Sequence, residues 1–178
     1  PALSGLSMMK LTANPVTAGG ALRMSPTPAM TLFDVDGPGA PAPLALAAAR
    51  AAAMAIVRLD IGGSIGIDFP TLGNKAERQA AAEAIDTVLP QPFERTAING
   101  FGFLQIVRPR RRASLPELLR ADPVAAAALA LLRAIERTPP PVPRAQFAGP
   151  RVAAWLAAHP DLVDELSRRS GAPISFTS

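Results

Sequence analysis

Two short apolar runs decide the fold: MTLFDVD at residues 30–36 and GSIGIDF at residues 63–69. Both are rich in apolar and β-branched side chains and are halted by Gly or Pro, which is typical of buried strands. The residues between them, 43–59, are nearly all Ala, Leu, Met, Ile and Val, a composition that predicts a helix. Strand, helix and strand at this spacing predict a βαβ unit with parallel strands and a right-handed crossover.

Further elements flank this unit. Residues 21–24 predict a short strand before it, and residues 75–89 predict a helix after it. Residues 93–98 and 101–107 predict two strands of a hairpin around Asn99-Gly100, a dipeptide typical of tight turns. The fold class that follows is α/β, with a mixed sheet that contains the βαβ unit.

The remainder of the chain predicts a smaller α+β domain. Its expected elements are a helix over 115–137 with a break near Pro123, a proline linker over 138–143, a strand over 145–148, two short helices hinged at His159-Pro160 and an edge strand over 174–177. We therefore expect a loose lead-in over 1–18, a main domain over 19–113 and a small domain over 114–178.

The composition excludes several classes of site. The chain has no cysteine, so disulfides, thiolate zinc sites, iron–sulfur clusters and a cysteine nucleophile are impossible. A metal must be held by oxygen atoms or by the single histidine, His159. The 18 basic and 14 acidic residues give a net charge of +4, which favours a polyanionic partner.

Neither a membrane span nor an export signal is predicted. The longest apolar runs, 44–57 and 124–135, are interrupted by Arg50 and Arg133 or fall short of the ~20 residues that a bilayer requires. Residues 1–12 contain no continuous apolar segment. We expect a cytoplasmic protein.

Two aspartates end the two strands of the βαβ unit. Neighbouring parallel strands end on the same side of a sheet, so the carboxylates of Asp34 and Asp68 should lie close together in the crevice where such sheets bind ligands. Such a pair, with Asp36 two residues further on, suits Mg²⁺ or Mn²⁺. The alternative is that these residues are turn or cap residues, and for Asp36 a loop role is equally supported.

Five sequence segments, spread over most of residues 20–177, match a known pattern: TPAMTLFDVDG (27–37), RLDIGGSIGIDF (58–69), INGFGFLQIVR (98–108) followed by Ser114-Leu115, LLRAI (131–135) and VAAWL (152–156). In these segments and their order the chain resembles the bacterial ribonuclease E/G endoribonucleases. The GG-x-I-x-IDF stretch is the most specific part of the resemblance.

The resemblance implies a DNase-I-like or RNase-H-like catalytic region over 19–113, a small C-terminal domain and Mg²⁺-dependent cleavage of single-stranded RNA. Two aspartates bind the metal in the family, and they fall on Asp34 and Asp68, the pair that strand topology also selects.

The chain departs from the family at several positions. Asp36 stands where Asn is usual, Thr71 where an aspartate is frequent, and Gly100 where Arg commonly opens an R-F-G motif. The cysteine pair that holds zinc and links family dimers is missing, so we expect neither zinc nor a zinc-linked dimer, and the oligomeric state stays open. Only about 20 residues precede the first match, so we also expect the usual upstream oligonucleotide-binding domain to be absent.

Basic and aromatic side chains suggest how RNA is held. Four arginines beside Pro109 are candidates for phosphate contacts: Arg108, Arg110, Arg111 and Arg112. Lys75 is a further candidate. The alternative for this cluster is a solvated strand end beside a domain linker. Phe101 and Phe103 are expected in the core, with base stacking as the alternative for one of them.

These patterns support a metal-dependent endoribonuclease that acts on single-stranded RNA. Asp34 and Asp68 would hold the ion, and Asp36 would orient a water. The main alternative is a degenerate, non-catalytic RNA-binding or accessory protein of the same family. A nucleotide-binding module is a third reading, based on fold alone.

Overall fold

The structure, a computed structural model, describes residues 8–11, 20–139 and 145–177. The chain divides into two compact units, the first ending at Pro116 and the second beginning at Glu117. The first unit contains a six-stranded mixed sheet and the second a two-stranded sheet. The chain is therefore a mixed α/β protein, as its sequence predicts.

The first unit is built around the predicted βαβ unit. Its elements in chain order are β1 (Met8–Leu11), β2 (Gly20–Pro26), β3 (Thr31–Asp36), α1 (Pro41–Arg58), β4 (Gly63–Asp68), α2 (Lys75–Asp86), β5 (Glu94–Arg95) and β6 (Phe103–Arg108). The strand order across the sheet is β1-β2-β3-β4-β6-β5. Strands β3 and β4 pair in parallel and the other neighbours are antiparallel, so the predicted parallel pair is confirmed.

One face of the sheet forms the core. Phe33, Ile65 and Ile67 are fully buried and project from it, and α1 and α2 pack together in the same core. Helix α1 carries six buried alanines, whose small side chains allow the helix to lie close to its neighbours. By length and composition α1 could also cross a membrane, but eight of its residues are buried in the core, a pattern typical of a core helix.

The structure corrects two expectations for this unit. Residues 8–11, assigned to a loose lead-in, form β1, which pairs with β2 through its backbone; the rest of residues 1–18 lies outside the described residues. The hairpin exists, but β5 covers only Glu94–Arg95, and Phe101 belongs to the loop rather than to a strand. The loop is longer than a two-residue Asn-Gly turn because the Asn99 side chain bonds across it.

The second unit contains three helices around a small core. Helix α3 (Leu115–Ala121) leads into it, followed by α4 (Pro123–Glu136), β7 (Ala145–Phe147), α5 (Pro150–Ala157), α6 (Pro160–Ser170) and β8 (Ser175–Thr177). The predicted break falls between α3 and α4, where Asp122 caps α4. Most of the predicted proline linker lies outside the described residues.

Candidate functional site

The two aspartates of the βαβ unit are direct neighbours across the sheet. Strand pairing places Asp34 of β3 opposite Asp68 of β4. Asp68 is the last residue of its strand, whereas β3 continues for two residues beyond Asp34 to Asp36. The sequence therefore predicted the neighbouring pair correctly, although only one of its members ends a strand.

This carboxylate pair projects from the face of the sheet opposite the core. Side chains alternate along a strand, and the buried Phe33 and Val35 flank Asp34. By the same alternation Asp36 projects to the side of Asp34, and its side chain is exposed. The face that carries all three carboxylates is called the open face below.

Arg23, which the sequence analysis did not select, joins this group from β2. It lies opposite Asp34 in the antiparallel register, and its Nη1 donates a hydrogen bond of 3.3 Å to Asp34 Oδ2. Both side chains are about half exposed, so the ion pair contributes little to stability. Pairing of β2 and β3 begins with Pro26 and Thr31, on either side of the turn. Arg23 and Asp34 each lie three residues from this pair, so counting along both strands would have identified Arg23 as the residue opposite Asp34.

Phe103 lies opposite Asp68 and extends the row of side chains across the open face. Its ring covers the backbone of Gly66: a Cβ atom at Gly66 would lie 2.7 Å from Phe103 Cζ. Phe103 is only half-buried and lies on the side of the sheet away from the core, so the expectation of core packing is wrong for this residue. The lack of a side chain at Gly66 makes room for an aromatic ring next to Asp68.

The turn before β6 is bonded to the chain just after Asp68. Asn99 Oδ1 accepts hydrogen bonds from the backbone nitrogens of Phe101 and Phe103, at 2.9 and 3.0 Å. The backbone nitrogen of Phe69 donates to the Gly102 carbonyl oxygen at 3.0 Å. Phe101 is 86% exposed at this turn, so it too is not a core residue.

The arginine cluster lies at the other end of β4 and β6. Arg108 is opposite Gly63, the first residue of β4, whereas Phe103 is opposite Asp68, the last. Five residue steps along the strand separate the two positions, a distance of about 17 Å. A cleft of about 430 Å³ opens at the arginine end, and its lining residues are Asp60, Gln91, Pro92, Arg108, Pro109, Arg110, Arg111 and Arg112.

Asp60, also missed by the sequence analysis, organises two of the arginines. Its carboxylate lies 2.6 Å from Arg112 Nε and 3.5 Å from Arg108 Nη1. Arg108 Nη1 also donates to the Ile61 carbonyl oxygen at 3.0 Å, and its side chain is only 19% exposed. Arg108 is therefore held in the wall of the cleft by these two contacts, while Arg110, Arg111 and Arg112 are exposed.

Two local features of Asp60 follow from its place after α1. Its backbone has a φ of 52°, in the left-handed region that commonly ends a helix and that aspartate tolerates better than most residues. The hydrogen bond from Arg112 lowers the pKa of the Asp60 carboxyl below its ordinary value, against a smaller opposite effect of burial. Asp60 is thus held as an anion among guanidinium groups.

Lys75 is not part of the arginine cleft. It begins α2 after the Asn74 cap and lines a separate cavity of about 390 Å³ with Arg78, Glu83 and Arg95. Arg95 in that cavity is bonded to Asp86, and this hydrogen bond raises the pKa of the guanidinium. The predicted RNA-contacting residues are therefore divided between two cavities.

The donor set on the open face is compatible with a hard cation. Asp34 and Asp68 offer oxygen ligands from adjacent backbone positions, and their exposure leaves room for the waters that Mg²⁺ retains. Within the described ranges, no group of three or more acidic or histidine side chains is arranged to hold a metal by protein ligands alone. A cation here would depend on the two carboxylates and on water.

No family model matches the chain, and no curated protein matches it.

Proposed function

We propose that this protein is a Mg²⁺-dependent endoribonuclease that cleaves single-stranded RNA, with a first unit of the DNase-I-like or RNase-H-like kind found in the ribonuclease E/G family. The observation that carries the proposal is the register of β3 and β4, which brings Asp34 and Asp68 side by side on the open face. The match between this pair and the metal-binding aspartates implied by the resemblance is the second support.

In this proposal, Asp34 and Asp68 bind the metal ion together. The ion, when bound, supplies a water of lowered pKa and neutralises charge that develops on the phosphate. Asp36, two residues along β3 on the same side, accepts a hydrogen bond from water near the ion and orients it. Arg23, whose Nη1 is bonded to Asp34 Oδ2, lies beside the pair and would be placed to contact the substrate phosphate.

RNA binding is proposed to depend on the arginine cleft. Arg110, Arg111 and Arg112 contact phosphates, and Asp60 with Arg108 maintains the shape of the cleft. The cleft is about 17 Å from the carboxylate pair along β4, so it binds a part of the RNA that is separate from the cleaved bond. Lys75 contributes a further cation near the start of α2.

A second candidate is a non-catalytic RNA-binding protein of the same kind, and the Arg23–Asp34 ion pair favours it. This guanidinium neutralises one of the two carboxylates, and a metal must compete with it.

A metal titration separates the two candidates. A labelled unstructured RNA is incubated with the protein and increasing Mg²⁺, then with EDTA, then with Mn²⁺ in excess of EDTA. The endoribonuclease proposal expects cleavage that rises with Mg²⁺, stops with EDTA and returns with Mn²⁺. Mn²⁺ binding, followed by electron paramagnetic resonance, should be lost in Asp34→Asn.

The opposite result has two forms. RNA binding without cleavage at any metal concentration supports the non-catalytic candidate. Cleavage that EDTA does not stop contradicts the role of the carboxylate pair and points to a contaminating nuclease.

A further inference from the structure

Phe101 combines high exposure with a rigid backbone. Its side chain is 86% exposed, the largest exposed fraction among the large apolar side chains that are described and exposed. Single exposed apolar residues are common on protein surfaces, so exposure alone does not indicate a ligand. Phe101 is distinguished by its place on a hydrogen-bonded turn that is joined to the residue after Asp68.

The hydrogen bonds of the turn fix the backbone on both sides of Phe101. Its own nitrogen donates to Asn99 Oδ1 at 2.9 Å, and the next nitrogen, that of Gly102, donates to the Asn99 carbonyl oxygen at 3.1 Å. Gly102 has a φ of +94° and approaches the chain so closely that a Cβ atom there would lie 2.2 Å from the Phe69 carbonyl oxygen. The ring is therefore presented to solvent by a turn that is bonded to the residue after Asp68.

The surroundings of Phe101 suit a small planar ligand better than a protein partner. The preceding residues of the turn, Asn99 and Gly100, are polar or lack a side chain, and in the described chain the next exposed large apolar side chain after Phe101 is Val107, near the far end of β6. A protein interface requires a contiguous patch, whereas one exposed ring is sufficient to stack one nucleobase. In the proposed function a cation at the carboxylate pair and the arginine cleft at the far end of β4 would both bind phosphates, so the ligand expected at this turn is a nucleic acid strand.

We propose that Phe101 is a stacking platform for a base of single-stranded nucleic acid, beside the carboxylate pair. This inference rests on the proposed function, because it takes RNA as the substrate, and deepens it by assigning a base-binding position. Base stacking is tolerant of sequence, so Phe101 would hold the strand next to the cleaved bond without selecting a base.

Binding measurements in EDTA test the platform apart from cleavage. A fluorescently labelled unstructured RNA and inorganic polyphosphate are titrated with the wild type, Phe101→Ala, Phe101→Trp and the control Phe147→Ala. Phe147 is 77% exposed on β7 of the second unit, so its replacement removes a similar exposed ring. Thermal midpoints are recorded for all four proteins.

The proposal expects a selective loss. Phe101→Ala should weaken RNA binding by about 5- to 150-fold, the range that stacking of one base corresponds to. Polyphosphate has no bases, so its affinity should not change. Phe101→Trp should bind RNA at least as tightly as the wild type, Phe147→Ala should bind it equally, and the thermal midpoints should agree within about 1 °C because the side chains are exposed.

Three results overturn the platform: unchanged RNA affinity in Phe101→Ala, an equal loss for RNA and polyphosphate, or no RNA binding by the wild type. Cleavage with Mg²⁺ is assayed separately, which distinguishes the two proposals. A wild type that cleaves, with unchanged RNA affinity in Phe101→Ala, rejects the platform alone. A wild type that does not cleave, with a selective loss in Phe101→Ala, rejects the endoribonuclease and supports the platform.

Discussion

The two ends of β4 carry opposite excesses of charge. At its last residue, Asp68 lies beside Asp34, with Asp36 on the same side of the sheet and the guanidinium of Arg23 bonded to Asp34. Before its first residue, Asp60 lies among four arginines that line the cleft: Arg108, Arg110, Arg111 and Arg112. Carboxylates outnumber guanidiniums in the first group, and guanidiniums outnumber carboxylates in the second.

In the proposed function, this contrast would allow one sheet to bind two parts of a polyanionic substrate. Adjacent carboxylates repel each other and attract a cation, whereas clustered guanidiniums attract phosphate. In each group the single residue of opposite charge is bonded to a member of the majority, Arg23 to Asp34 and Asp60 to Arg112.

The largest effect is expected at the carboxylate end. Asp68→Asn removes one of the two proposed metal ligands and should lower RNA cleavage at least about 100-fold, because metal catalysis contributes several kcal/mol. The side chain is exposed, so the thermal midpoint should hardly change. Cleavage is followed on a labelled unstructured RNA, with Asp161→Asn in the second unit as a matched control. Full activity in Asp68→Asn would refute the role of this pair.

The arginine end should respond in binding rather than in chemistry. Replacing Arg110, Arg111 and Arg112 by Ala should weaken binding of every RNA sequence alike. The slope of log affinity against log salt should fall by about 2, from three contacts of about 0.7 each. Cleavage at saturating RNA should largely survive, since the carboxylate pair is intact. An unchanged slope would identify the cluster as a solvated strand end and move the phosphate contact to Lys75.

The turn beside Asp68 can be destabilised by a substitution that leaves the arginine cluster unchanged. Gly102→Ala should destabilise the first unit by about 1–3 kcal/mol, because φ is +94° and the new Cβ atom meets the Phe69 carbonyl oxygen. Gly100→Ala is the matched control two residues away, where no atom lies within 4 Å of an added Cβ atom. Denaturant unfolding measures both. Equal stability of the two variants would show that the turn is not the rigid element described.

The smallest effect concerns Asp60. The guanidinium of Arg112 lowers the pKa of this carboxyl, so its contribution to stability is present above the unfolded-state pKa of about 3.9 and is lost as pH falls through the lower folded-state pKa. Asp60→Asn should keep the left-handed backbone and remove this acid-dependent contribution. Thermal midpoints are compared between pH 2 and 6. The two proteins should converge at the acid end, and a constant difference would contradict the ion pair.

Local patterns in the sequence predicted much of the first unit. The apolar runs around Phe33 and Ile67 form β3 and β4, and the alanine-rich stretch forms α1. These elements are readable because burial and composition depend on neighbouring residues in the chain. Crossover geometry then predicted the neighbouring Asp34 and Asp68, because strand pairing across a βαβ unit follows general rules.

By itself, the sequence therefore determined most elements of the first unit, β1 excepted, and the identity of the carboxylate pair. Only the tertiary structure revealed that Asp60 is held between Arg108 and Arg112 and that Phe101 is exposed. The physical reason is sequence distance. Arg112 and Asp60 are 52 residues apart, and no local pattern encodes such a contact. The turn that carries Phe101 is likewise bonded to Phe69, which is distant in the sequence, through the Gly102 carbonyl oxygen.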